Sequence, residues 1–170
     1  MVRIAAVALV ATGFSLLGFY LASVYGKKTE ILGDIVMMIG IIGTQLRYAR
    51  LPLLSMMRFL EENNALNSLV FVEECRRMVE NGETFRISWR KSIENEKELC
   101  RLIPESLNYL IQFGENLGTT DLEGQLSCCG YYERVFRKVL EEKEEQSKKY
   151  SKLFPTLGVM LGVSAAILIV

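Results

Sequence analysis

The chain has 170 residues, of which 20 are lysine or arginine and 20 are aspartate or glutamate, so its formal net charge is zero. Without an excess of basic residues the chain has no overall field that attracts nucleic acid, and we expect no nucleic-acid partner. Histidine is absent, so acid–base chemistry would fall to carboxylates, lysines or thiols, and a zinc site would lack imidazole ligands.

The first predicted element is an apolar helix. Residues 4–25 form a run of 22 positions without a charged side chain. At about 1.5 Å per residue the run is long enough to cross the roughly 30 Å hydrocarbon core of a bilayer. A cleaved signal peptide is the alternative, but its apolar stretch is typically about 7–15 residues and therefore shorter. We predict a retained membrane anchor over residues 1–26.

Residues 27–152 are predicted to form an all-α bundle, because apolar residues recur every three or four positions and no strand-like alternation persists. The run 35–46, between Asp34 and Arg47, is too short to span a membrane and is predicted to be a buried helix. This run is the core of a segment over residues 29–50, whose apolar face is predicted to use Ile31, Ile35, Ile39, Ile42 and Leu46.

Turn residues divide the rest of the bundle into about six short helices. Pro52 suits the first turn of one helix, and Asn81-Gly82 is a stop signal for the next. Further helices are predicted around Trp89, from Pro104, and from about Asp121 onward.

A second predicted span covers residues 153–170, which carry no charge and number about 18, near the lower limit for crossing a bilayer. In both runs only a helix can satisfy the backbone polar groups. Positive charge concentrates on the cytoplasmic side of spans. Five lysines flank the two runs on the side of the bundle, whereas Arg3 is on the other side; the lysines are Lys27, Lys28, Lys148, Lys149 and Lys152. We predict that the bundle faces the cytoplasm.

Both predicted spans carry small residues four positions apart, a spacing that lets helices approach closely within lipid. These residues are Gly18 and Ala22 in the first span and Gly158, Gly162 and Ala166 in the second. They are candidates for packing the two spans together or for joining neighbouring protomers. The alternative is that small residues are simply common in membrane helices.

One stretch within the bundle, FGENLGTTDLEGQ, is rich in turn residues, and we call residues 113–125 the corner. Gly114 is predicted to adopt the left-handed conformation that ends the preceding helix, and Gly118 to let the backbone turn. Residues 120–123 fit a capping box for the next helix. The corner lacks the lysine of a phosphate-binding loop and its acids would repel phosphate, so nucleotide binding is excluded.

The corner has a second interpretation, compatible with the first, as a contact surface for a partner. Glu115 and Asp121 lie near helix ends, where either could pair with a basic residue across the bundle. Alternatively, Glu115, Asn116 and Asp121 would face a basic surface on another protein.

The remaining reactive side chains give no catalytic pattern. Adjacent Cys128 and Cys129 could be redox active or bind a soft metal, or they are small helix residues in a reducing compartment. Adjacent carboxylates such as Glu61-Glu62 point to different parts of a helix surface and are predicted to be solvated. We predict no catalytic residue, no metal and no cofactor, hence no enzyme.

The order of these features resembles the stage III sporulation protein AB family of endospore-forming bacteria over essentially the whole chain. The motifs that carry the resemblance are LRYARLPL (46–53), ENG (80–82), SWRKSI (88–93) and the corner. Two elements are more distantly similar to inner-membrane platform proteins of type II secretion and type IV pilus machines. They are GE-x-x-G at residues 114–118 of the corner and the pair Pro52-Leu53. Those platform proteins usually carry two copies of a six-helix domain. This chain has one copy, so self-association into a homo-oligomer is the natural substitute.

The resemblance implies a non-enzymatic platform in the channel that connects mother cell and forespore, located in the mother-cell membrane around the forespore. It also implies a secretion-type ATPase and ring-forming membrane proteins as partners. The alternative is a membrane-anchored adaptor or regulatory protein that binds another soluble cytoplasmic partner. A membrane enzyme or transporter is disfavoured, because the predicted spans contain no ionisable side chain.

Overall fold

The computed structural model describes the backbone of residues 2–49 and 51–169 and the side chains of residues 12, 13, 20, 23–49, 51–150 and 160. Within this part of the chain there are seven α-helices, one short 3-10 helix and no strand, which confirms the all-α class. The helices are α1 (Val2–Tyr48), α2 (Leu53–Glu61), α3 (Phe71–Glu80), α4 (Phe85–Asn95), α5 (Lys97–Leu102), α6 (Leu107–Asn116) and α7 (Leu122–Ile169), and the 3-10 helix is Asn64–Leu66.

The chain divides into two compact units. The first unit comprises Met1–Thr29 and Glu141–Val170, and the second comprises Glu30–Leu140. Within the first unit the rings of Tyr25 and Tyr150 stack with their centroids 5.1 Å apart, so α1 and α7 are in contact there. The predicted boundaries at residues 26 and 152 remain predictions.

Helix α1 is continuous where the sequence predicted an anchor followed by a separate helix. The polar residues between the two predicted helices do not break α1, and the Thr29 hydroxyl donates to the carbonyl of Gly26 (2.8 Å) within the helix. Among the described residues, Ser23–Tyr48 is long and apolar enough to cross a membrane, judged by length and composition. The five residues predicted for the apolar face are all buried in the second unit, which confirms that face; they are Ile31, Ile35, Ile39, Ile42 and Leu46.

The predicted spans are helical in backbone over residues 4–25 and 153–169 but lie mostly outside the residues whose side chains are described. All five candidates for helix packing in the membrane fall outside them as well: Gly18, Ala22, Gly158, Gly162 and Ala166. Their role remains a prediction.

Trp89 lies at the centre of the second unit and is fully buried. Its ring meets Phe71 of α3 edge-on at 5.2 Å between centroids, Phe85 of α4 at 5.6 Å and Phe113 of α6 at 6.1 Å. Aromatic pairs at such separations add about 0.5–1.5 kcal/mol beyond the area they bury. The aromatic cluster therefore ties α3, α4 and α6 into one core.

Two predicted helix boundaries agree with the structure. Pro52 immediately precedes α2, and Gly82 has φ of 94° just after α3. The amide of Glu83 donates to the carbonyl of Met78, which closes the helix end in a Schellman motif.

Two other helix boundaries differ from the prediction. The helix predicted from Pro104 begins at Leu107, because the amides of Ser106 and Leu107 both donate to the carbonyl of Ile103 and form a turn first. Helix α5 was not predicted, since Lys97–Leu102 is too short to show a helical period.

Candidate functional site

The corner joins the end of α6 at Asn116 to the start of α7 at Leu122. Gly118 has φ of +75°, the left-handed conformation that glycine adopts without strain, so the backbone turns there as predicted. A Cβ atom at Gly118 would lie 3.1 Å from Cδ1 of Leu53, the first residue of α2. The turn is therefore packed closely against the start of another helix.

The prediction for Gly114 is wrong. Gly114 lies inside α6 with a helical backbone, and the left-handed residue of the corner is Gly118. The indole of Trp89 packs directly on Gly114, where a Cβ atom would lie 2.2 Å from the ring atoms Cδ1 and Nε1. The Nε1–H group donates to the carbonyl of Leu110 (2.9 Å), which fixes the ring in place. Gly114 thus provides space for the indole, and a glycine inside a helical pattern was the available signal for such packing.

The cap of α7 lies one residue later than the predicted capping box. The Oδ1 atom of Asp121 accepts from the amide of Gly124 (2.9 Å), so Asp121 caps the helix in place of Thr120. The side-chain amide of Gln125 bridges the turn, donating to the carbonyl of Thr120 (2.9 Å) and accepting from the amide of Gly118 (3.3 Å). The corner is therefore held by hydrogen bonds from its own side chains.

We expect Asp121→Ala to lower the free energy of unfolding by about 1 kcal/mol, because the amide of Gly124 loses its acceptor. Thermal unfolding of the full-length protein in detergent, followed by circular dichroism, measures the change. Ser127→Ala is the control, since Ser127 is exposed one turn further along α7 and away from its N-terminus. Equal stability of the Asp121 variant and the wild type would show that the cap contributes nothing.

Glu115 forms an ion pair across the bundle. Its side chain is only 15% exposed, and its Oε1 atom accepts from Nε (2.9 Å) and Nη2 (2.5 Å) of Arg90 on α4. Arg86 lies further away, at 3.9 Å, and its side chain is 68% exposed. The hydrogen bond and charge of Glu115 raise the pKa of Arg90. Asp121 acts as a cap, so of the two acids it is Glu115 that the structure pairs with a base.

Asn116 contributes to the end of α6. Its side-chain amide donates to the carbonyl of Gln112 (2.8 Å), and its own carbonyl accepts from the hydroxyl of Thr119 (2.8 Å). The residue is nevertheless exposed. Contact of Asn116 with a partner remains a prediction.

A groove of about 430 Å³ lies where the corner meets the link between α1 and α2, and we call it the corner groove. Its walls come from two segments far apart in sequence; the lining residues are Leu46, Leu51, Pro52, Leu53, Gly118, Leu122 and Gln125. Tyr48, at the end of α1, is 80% exposed. Each segment carries a recognisable turn motif, but their convergence depends on long-range packing and is not visible in the sequence.

The cysteines are packing residues in the described part of the chain. All four thiols are free, and Cys75 and Cys129 are buried. Burial raises the pKa of each of these two thiols to about 12 and also raises that of Cys128, so thiolate is scarce at neutral pH. Cys129 packs against Gly43 of α1, whose Cβ position is 3.4 Å from the cysteine Cβ. Among the described residues, no group of three or more Cys, Asp or Glu side chains is placed to hold a metal ion.

Comparison with known proteins identifies the family. The model of the family described as stage III sporulation protein AB matches residues 3–170, in agreement with the resemblance of the motifs. A search of curated proteins and a search of solved structures each found no similar protein. Because the family match covers nearly the whole chain, the chain belongs to the stage III sporulation protein AB family and takes part in stage III of sporulation.

Proposed function

We propose that the chain is a non-enzymatic membrane platform of the channel complex between mother cell and forespore. The observation that carries this proposal is the corner groove, where the two most distinctive turn segments of the sequence converge. The groove is lined mainly by apolar side chains, and the polar groups of the corner are engaged in caps and turns. Such a site suits protein contact better than chemistry.

The partners we propose are a secretion-type ATPase in the mother cell and ring-forming membrane proteins. Exposed tyrosines beside a concave apolar surface are frequent anchors of protein interfaces, because they combine a large contact area with a polar tip. Tyr48 lies two positions after Leu46 of the groove, at the end of α1, and lines a second, smaller pocket with Leu126 and Glu133. We therefore assign the contact with the ATPase to Tyr48 and the corner groove.

The proposed location is the mother-cell membrane around the forespore, with anchors over residues 1–26 and 153–170 and the bundle in the cytoplasm. Support comes from the two uncharged runs of the sequence and from the lysines on their inner flanks. The chain has one copy of the bundle, whereas the distantly similar platform proteins usually have two. This difference also supports assembly of several protomers into one platform.

Affinity purification of the full-length protein from sporulating cells in mild detergent, followed by mass spectrometry, tests the proposal. We expect the wild type to enrich the ATPase and ring proteins, and Tyr48→Ala to reduce recovery of the ATPase about tenfold or more, as for a hot-spot residue. Tyr109→Ala is the matched control, since Tyr109 is also exposed (42%) but belongs to α6 and lines neither the corner groove nor the pocket beside Tyr48.

The possible outcomes separate the groove from the platform role. Full recovery of the ATPase by Tyr48→Ala would remove Tyr48 and the pocket that it lines from the interface. If the wild type recovers no channel component, the platform role is wrong. A stable complex with an unrelated soluble protein would then favour an adaptor. Equal thermal unfolding of both variants and the wild type shows that neither substitution acts through the fold.

A further inference from the structure

The first unit has an uneven charge distribution, since all four of its acids precede residue 146 on α7; they are Glu141, Glu142, Glu144 and Glu145. Residues 1–29 and 146–170 contain no aspartate or glutamate, so every charged side chain in these two segments is basic. The bases are Arg3, Lys27, Lys28, Lys148, Lys149 and Lys152. Four of them belong to the described side chains and occupy two short segments far apart in sequence.

The stacked pair of Tyr25 and Tyr150 brings those two segments together. The rings lie 5.1 Å apart at an interplanar angle of 27°. Each of the four lysines lies within three positions of one of these tyrosines, which is about 5 Å or less along a helix axis. Lys27, Lys28, Lys148 and Lys149 therefore lie at the level of the tyrosine pair along the axes of α1 and α7, on more than one side of these helices, and we call these four residues the lysine collar.

The collar presents its charge to the outside. Lys27, Lys148 and Lys149 are exposed, and Lys28 is half-buried. Lys148 also lies 3.9 Å from Glu144, with 76% of its side chain exposed, so the acid is at the edge of the collar. A surface ion pair of this kind typically contributes only about 0–1 kcal/mol.

We propose that the lysine collar binds anionic lipid headgroups at the bilayer surface. The proposal rests on the membrane anchors of the proposed function, since both runs of uncharged residues adjoin the collar. Tyrosines concentrate at the membrane–water interface, and basic clusters beside a membrane helix attract anionic lipid by about 1 kcal/mol per lysine. The stacked tyrosines and four lysines match both preferences.

Lipid retention by the purified full-length protein tests this proposal. The protein is incubated in mixed micelles with equal amounts of phosphatidylglycerol and phosphatidylcholine, purified again, and its bound lipids are quantified by mass spectrometry. We expect the wild type to enrich phosphatidylglycerol at least about tenfold, given four lysines near the surface. The variant with Lys27→Gln, Lys28→Gln, Lys148→Gln and Lys149→Gln is expected to lose that enrichment.

A second variant controls for net charge. Arg77→Gln, Lys97→Gln, Arg101→Gln and Lys138→Gln together remove the same number of exposed bases from the second unit and are expected to keep the wild-type enrichment. An equal loss in this variant would overturn the proposal, as would equal retention of both lipids by the wild type. Displacement of phosphatidylglycerol by inorganic phosphate at equal concentration would also overturn it, in favour of a site for free phosphate.

Carbonate extraction of cell membranes separates this proposal from the one on which it rests. Release of the wild type by carbonate would show that the proposed anchors are wrong, and the collar would then have no bilayer to bind. Retention in the membrane combined with no preference for phosphatidylglycerol would overturn the collar alone and leave the platform unaffected.

Discussion

Gly114→Ala is expected to lower the free energy of unfolding by about 3 kcal/mol or more, because overpacking a rigid core site has a cost at the upper end of the usual range. The new Cβ atom would lie 2.2 Å from the indole of Trp89, which is fully buried and cannot swing away. Chemical unfolding of the full-length protein in detergent, followed by far-UV circular dichroism, measures the loss.

Two further variants make this expectation specific. At Gly33 of α1 no atom lies within 4 Å of the Cβ position, so Gly33→Ala should raise stability by about 0.5–1 kcal/mol. The double variant Gly114→Ala with Trp89→Phe should lose less free energy of unfolding than the sum of the two single variants. The smaller phenyl ring leaves room for the new Cβ atom, which would otherwise overlap the indole. Additive costs would show that the two residues do not compete for space.

Trp89→Ala is the second change with a large expected effect, a loss of about 3–5 kcal/mol in the free energy of unfolding. The substitution removes the ring that joins Phe71, Phe85 and Phe113, together with the hydrogen bond to Leu110. The same unfolding experiment measures this loss.

The control for Trp89→Ala is Ile87→Ala on the same helix. Ile87 is 49% exposed, so its truncation should change stability by about 0.5 kcal/mol or less. A comparable loss in both variants would mean that the loss is not specific to the aromatic cluster, because alanine has a higher helix propensity than either residue that it replaces.

Local patterns in the sequence predicted the parts of the fold that depend on local chemistry. The helical period identified the buried face of α1, and the stop after α3 followed from Gly82, whose left-handed backbone closes a Schellman motif. The corner was identified from its turn residues, and Gly118 has the predicted conformation.

Features that depend on packing between distant segments could not be predicted from local sequence patterns. The role of Gly114 depends on Trp89, which is 25 positions earlier and on another helix. The corner groove depends on the approach of Leu53 to Gly118, again between segments far apart in sequence. Local spacing carries no information on such contacts, so the sequence suggested a turn glycine where the structure has a packing glycine.

The position of Trp89 has a practical consequence, because it is the only tryptophan of the chain. Fluorescence excited selectively in tryptophan therefore reports on one site, the contact of the indole with Gly114 directly beside the ion pair of Glu115. A protein that binds the corner and disturbs this contact will change the emission without any label. The chain carries its own optical probe for events at the corner, and titration with a candidate partner can be read from it in real time.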